Sequence, residues 1–303
     1  MDCRFPMRTI ALTATLACLV YAGFPLVSHA QEAAPVLPGA EGASTFPPEP
    51  TPQDRQIAKL IARLVPSLHI SSSELDDTIS RRALDLYLDR FDSLKLYFNQ
   101  SDVDQFQRYS TQIDDMVKGG DLTLAYRIFE RFTERVDQRV AMALEILDSD
   151  FDFTKDEYII VDADAASYAK NDEEARARWR RQIKYALLDL RDDDTVGEEA
   201  RDLLRRRYKR YARRFKSYDH DDLLEAFLTS VTSAFDPHST YMAPSTLDDF
   251  NISMGLKLQG IGAALREKDG NTVVMQIIPG GAADADKRLA PDDVIVSVGQ
   301  GIE

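Results

Sequence analysis

The feature that most constrains this chain is a change of hydrophobic period late in its length. Between Asp54 and residue 240, apolar side chains recur at three- and four-residue steps, the spacing that gathers them on one face of a helix. From Met254 onward the chain alternates and fills with β-branched residues, at Ile261–Leu265, Thr272–Ile278 and Val294–Val298, which is the period of a strand. One architecture cannot satisfy both periods. The chain is therefore multi-domain, with an all-α N-terminal domain over 54–240 and a β-rich module over 241–303. No segment repeats at a fixed interval, which argues against a solenoid.

Within the helical part, Ile57, Leu60, Ile61, Leu64, Val65 and Leu68 share a face, and Pro66 is expected to end or kink that helix. Ser73 with Asp76, and Ser101 with Asp104, have the spacing of capping boxes. They open helices carrying Leu75, Ile79, Leu84, Leu88 and Phe91, then Phe106, Tyr109, Ile113 and Met116, the second stopped by Gly119-Gly120. Asp121 caps a long helix through Ile128, Phe132, Val136, Val140, Leu144 and Leu147. Helices are also expected over 172–190, 198–216 and Asp221–Ala234. In the β-rich part, Asp269-Gly270 and Pro279-Gly280-Gly281 supply turns.

Ahead of both parts, Arg4 and Arg8 precede an apolar stretch from Ile10 to Val20, and Ser28-His29-Ala30 has a small-x-small pattern. Residues 1–30 therefore read as a signal peptide cut after Ala30. Thr13, Thr15, Gly23 and Pro25 interrupt the alternative, an uncleaved anchor. A lipid anchor at Cys18 is disfavoured by the apolar run that follows it. Cys3 and Cys18 both fall in the leader, so neither a disulfide framework nor a cysteine metal site is expected in the mature chain. Residues 31–53 are Pro-, Ala- and Gly-rich without periodicity and read as a disordered linker.

Charge narrows the function. With 37 basic against 51 acidic side chains and a net charge of -14, a dedicated nucleic-acid binder is excluded, because phosphate binding needs positive surface. The local exception is Arg201–Lys216, with nine Lys or Arg in sixteen positions. There Leu204, Tyr208, Tyr211 and Phe215 form one apolar stripe, so the cations read as the solvated face of a packed helix. His220, followed by Asp221 and Asp222, and His238, after Asp236-Pro237, have no second His or Cys at ligand spacing and read as structural. No metal and no cofactor is expected. No Gly-x-Ser-x-Gly elbow or phosphate-binding glycine loop is present, and nothing in the helical part marks a serine as a nucleophile.

The informative segment is Leu258-Gln259-Gly260-Ile261-Gly262-Ala263-Ala264-Leu265. Two glycines flanking one Ile before a strand can present consecutive N–H groups to a carboxylate, and the strand can accept a peptide as an added strand. Glycines before a strand are also ordinary turn punctuation. The order that follows is more specific: a hairpin, a Pro-Gly-Gly turn, an Ala-rich helix and another strand. Residues 260–299 (GIGAALREKDGNTVVMQIIPGGAADADKRLAPDDVIVSVG) resemble the first part of a bacterial PDZ domain. The stretch FDPHSTYMAPSTLDDFNISMGLKLQGIGA resembles the junction into the PDZ domain of carboxy-terminal processing peptidases. YLDRFDSLKLYFNQSDVDQF resembles the N-terminal domain of their long periplasmic branch, the tail-specific proteases. One departure is Asp292-Asp293 where the family shows Gly-Asp, a minor one if Asp292 has negative φ.

The resemblance implies a periplasmic serine-type endopeptidase that uses a Ser–Lys dyad and selects proteins by apolar C-terminal tails. Its lysine must be desolvated and neutral to take the serine proton. It places that dyad in an α/β domain after the PDZ module, beyond Glu303, so no catalytic residue is carried over and the 303 residues alone are expected to be inactive. Gly260, Ile261, Gly262 and Ala263 carry over as carboxylate-loop positions, with Ala264 and Leu265 in the peptide-pairing strand. The implied partners are C-terminal tails of substrate proteins and, through the helical domain, a periplasmic adaptor. Any membrane association is implied to be peripheral, at the inner membrane. The alternative from another class is a non-catalytic periplasmic PDZ adaptor that only binds C-termini.

Overall fold

The computed structural model describes residues 4–6, 48–255, 260–268 and 271–299. They divide into two compact units that part between Ala243 and Pro244. The first is built from α1 (Pro52–Leu68), α2 (Asp77–Asp92), α3 (Gln100–Gln107), α4 (Ile113–Gly119), α5 (Thr123–Leu147), α6 (Asp172–Asp192), α7 (Gly197–Lys216) and α8 (His220–Ser233). It also holds one antiparallel pair, β1 (Arg4–Pro6) with β2 (Tyr158–Ile160). Apart from β1, the expected signal peptide and residues 31–47 of the expected linker lie outside the described residues. None of the described helices is long and apolar enough to cross a membrane.

α5 runs through the middle of this unit and buries Ile128, Phe129, Phe132 and Val136. Around it the rings of Phe91 and Phe132 lie 5.1 Å apart, Phe132 and Phe215 meet edge-on at 4.8 Å, and Tyr97 meets Trp179 at 5.5 Å. Each such side chain contributes about 1.5–3 kcal/mol on burial, as do the buried Leu, Ile and Val side chains packed around the rings. The stripe on α7 packs as its spacing predicts: Leu204, Tyr208 and Phe215 are buried. Most of its cations are exposed, while the half-buried Arg205 pairs with Asp148, Glu198 and Asp202 and Arg201 donates to the Leu147 carbonyl. One buried cation, Arg139 of α5, is satisfied by Asp172, Asn99 and the Tyr97 carbonyl, which ties α5 to the start of α6.

Several local expectations are corrected. α1 begins at Pro52, not Asp54, because Thr51 and Asp54 cap it reciprocally: Thr51 Oγ1 accepts from the Asp54 N–H and the Asp54 carboxylate accepts from the Thr51 N–H. Its buried positions are Asp54, Ala58 and Ala62, with Ile57 and Ile61 beside them, while Leu60, Leu64 and Leu68 are exposed. A Cβ on Gly120 would come within 2.6 Å of the Arg55 carbonyl oxygen, so the end of α4 lies close against the backbone of α1. Pro66 does not end α1; it sits in its last turn. Asp76, not Ser73, caps α2, and Asn99 with Asp102, not Ser101 with Asp104, caps α3. The helix expected through Phe106 and Met116 is two, α3 and α4, and the left-handed Gly120 closes the second.

The second unit holds α9 (Pro244–Gly255), β3 (Ala263–Lys268), β4 (Asn271–Ile277), α10 (Ala282–Asp286) and β5 (Val294–Ile295). The strands form an antiparallel sheet in the order β3-β4-β5, so β3 is an edge strand among the described residues. Val273, Val274 and Ala283 are buried in this unit. The strands expected at Ile261 and to Val298 are narrower in the structure: Ile261 and Gly262 precede β3, and β5 has two residues. α9 was not expected from the period, although Pro244 at its first turn is a start signal. The Asp269-Gly270 turn lies outside the described residues.

Candidate peptide-binding site

Gly260, Ile261 and Gly262 form the bend that leads into β3, and Ala263, Ala264 and Leu265 open the strand itself. Gly262 has φ +76, a conformation that side chains with a Cβ enter at a cost. It also has no space for one: an added Cβ would lie 2.9 Å from Ala282 N and from Gly281 Cα. The contact is reciprocal, since a Cβ on Gly281 would lie 2.9 Å from Gly262 Cα and 3.0 Å from the Ile278 oxygen. Two glycines that read as separate turn signals thus press backbone against backbone.

Hydrogen bonds lock the same junction. The Ile278 N–H donates to Gly262 O at 2.8 Å, and the Ala283 N–H donates to Ile261 O at 2.8 Å. The Gly281 N–H donates to Ile278 O at 3.0 Å, and the Gly280 N–H to Asp284 Oδ2 at 2.9 Å. The carbonyls of Ile261 and Gly262 are therefore spent on the Pro279-Gly280-Gly281 turn and on α10. Their N–H groups have no hydrogen-bond partner among the described residues. Gly260, Ile261 and Ala264 are exposed, so this bend is open to a ligand. The register of β3 against β4 shifts between Ala264 and Leu265, which leaves Met275 as the extra residue of a bulge beside the bend.

Farther round the sheet, Asp292 corrects the expectation of a harmless Gly-to-Asp departure. Its φ is +70, in the left-handed region. Short polar side chains tolerate that region better than others do, and the strain is offset by pairing: the Asp292 N–H donates to Val274 O at 2.8 Å, and the Val274 N–H donates to Asp293 O at 2.9 Å.

Residues 248–301 match the PDZ domain model, and residues 60–245 match that of the tail specific protease N-terminal domain. The chain belongs to the tail-specific protease family. It is 31% identical over 233 residues to the Tail-specific protease of Haemophilus influenzae, a match covering 77% of this chain and 34% of that protein. It is 28% identical over 106 residues to the Carboxy-terminal processing protease CtpA of Bacillus subtilis, covering 34% of this chain and 22% of that protein. The chain thus spans about a third or less of the length of these relatives.

Among the described residues no serine hydroxyl is hydrogen-bonded to a lysine. The most buried lysine, Lys184, donates to the Lys155 carbonyl at 3.0 Å and pairs with Glu157. His238 is exposed; its backbone N–H donates to Asp236 Oδ1 at 2.7 Å, so its segment is a turn cap. Asp236 is held below the usual carboxylate range by the Ser239 hydroxyl, by His69 and by that N–H. The pairing of His69 with Asp236 was not visible in the sequence, because it joins the end of α1 to the segment after α8. His220, in the first turn of α8, faces both Asp221 and Asp54, the second of which is distant in sequence.

Proposed function

We propose that these residues are the recognition part of a periplasmic serine-type endopeptidase of the Ser–Lys dyad kind, which selects proteins by an apolar C-terminal tail. The observation that carries the proposal is the bend at Gly260-Ile261-Gly262, held by the contact of Gly262 with Gly281 and presenting two N–H groups without partners beside an edge strand. A peptide carboxylate accepts hydrogen bonds from the N–H groups of Ile261 and Gly262, with Ala263 next in line, and needs no basic side chain there. The tail then lies along Ala264 and Leu265 as an added strand, its alternate side chains turned toward the unit. The bend costs little to organise on binding because its carbonyls are already tied down. The periplasmic location is supported by the leader pattern of Arg4, Arg8, the apolar stretch and Ser28-His29-Ala30.

Fluorescence anisotropy with one apolar-tailed peptide, as free acid and as C-terminal amide, tests this in the full-length gene product. A hydrogen bond to a charged group is worth about 1.5–3 kcal/mol, so losing one by amidation should weaken binding roughly 10- to 150-fold. Equal affinities for the two peptides would reduce the bend to an ordinary turn and remove the support for tail recognition.

A further inference from the structure

We propose that Asp54, His220 and Asp221 form a binding site for a divalent transition-metal ion, zinc being the best fit, that ties the start of α1 to the start of α8. His220 Nδ1 lies 3.3 Å from Asp54 Oδ2 and 3.6 Å from Asp221 Oδ1, and all three ligand atoms lie within 4.8 Å of one another. Ligands about 2.1 Å from a tetrahedral zinc are about 3.4 Å apart, so the imidazole nitrogen already stands at ligand spacing from both oxygens.

The decisive atom is His220 Nδ1. It is shielded from solvent and makes no hydrogen bond, although two carboxylates face it. A buried polar atom without a partner is costly, and a metal ion would satisfy this nitrogen and both oxygens at once. Asp54 is almost completely buried, and its Oδ2 accepts the Thr51 N–H at 2.7 Å, an outer contact that orients the carboxylate toward His220. His220 and Asp221 are each about two-fifths exposed, which leaves a way in and room for water to complete the coordination. The surroundings are strongly acidic. Asp219 caps the same helix and Asp222 stands in its first turn beside Asp221. One imidazole with two carboxylates suits zinc, whereas magnesium and calcium prefer oxygen throughout. A search for a second His or Cys along the sequence misses this set, because its third member comes from the other end of the helical unit.

The test is titration calorimetry of the chelator-stripped 303-residue chain with zinc chloride, repeated for His220→Gln, Asp221→Asn and His69→Gln. Asp54 is left intact because it also caps α1. The expected result is a zinc site in the wild type, weakened at least about tenfold in the first two variants and unchanged in His69→Gln. Cobalt should give visible absorption bands of a tetrahedral site in the wild type and not in His220→Gln. Far-UV circular dichroism establishes that each variant is folded. Should His220→Gln fail to fold, Asp221→Asn, on a side chain about two-fifths exposed, carries the comparison. Absence of zinc uptake, or affinity unaffected in the folded variants, or magnesium binding as tightly as zinc, would overturn the proposal.

Discussion

Gly262→Ala is the sharpest test of how the bend before β3 is built. At φ +76 an added Cβ costs about 1–2 kcal/mol in backbone strain. The same atom would lie 2.9 Å from Ala282 N and Gly281 Cα and 3.1 Å from Gly281 C, all backbone, so no side chain can swing aside. Overpacking of this kind costs about 1–3 kcal/mol. Together these destabilise the unit by about 2–5 kcal/mol, or roughly 30- to 4,000-fold in its opening equilibrium. Relief would come only from pulling the Pro279-Gly280-Gly281 turn away, which breaks the bonds that Ile278 and Ala283 donate to Gly262 and Ile261. Gly281→Ala meets the same contact from the other side at φ -79, without the strain term, and should cost about 1–3 kcal/mol. Gly260→Ala meets nothing within 4 Å and should stay within about 0.5 kcal/mol of wild type. Hydrogen exchange read by mass spectrometry should show faster exchange over β4 and α10 in the order Gly262, Gly281, Gly260, with α5 unchanged. Equal exchange in the Gly262 and Gly260 variants would refute the argument.

Asp292→Gly should stabilise the second unit by about 1 kcal/mol, since glycine relieves the left-handed φ of +70 and keeps the N–H bond to Val274 O. Slower exchange over β4 would show it, and faster exchange would count against it. In the first unit, burial pushes the Asp92 carboxyl up to about 6, against the opposing hydrogen bonds from the Phe98, Leu96 and Tyr97 N–H groups. Unfolded, the same carboxyl titrates near about 3.9, so between those values the native state holds more protons than the unfolded one. The Asp92 contribution to stability is therefore full below about pH 4, is lost by about 3 kcal/mol as pH rises to about 6, and is flat above. Urea midpoints across that range should fall with pH more steeply in wild type than in Asp92→Asn; identical slopes would refute the assignment.

The period of the sequence was sufficient for α5, α6 and α7, and for the placement of Leu204, Tyr208 and Phe215 inside, because a helix sorts its own faces every 3.6 residues whatever it packs against. The bend at Gly260-Ile261-Gly262 was legible for the same reason, as a local glycine pattern next to a strand. Local signals were weaker where two were in competition. Ser73 and Asp76 could each cap a helix, and the chain uses Asp76, whose extended backbone lets its carboxylate reach the N–H groups of Thr78 and Ile79. Other features belong to pairs of segments, and tertiary structure alone decided them. Ala58 and Ala62 face inward on α1, while Leu60 and Leu64 do not, because α4 and α8 pack on the face that carries the alanines. Gly262 must be glycine because Gly281 lies against it, and Asp54 meets His220 because α1 packs on α8. Periodicity records only what a segment does along its own axis; which distant backbone comes within 3 Å of a glycine, or which carboxylate faces an imidazole, exists only once the chain has closed on itself.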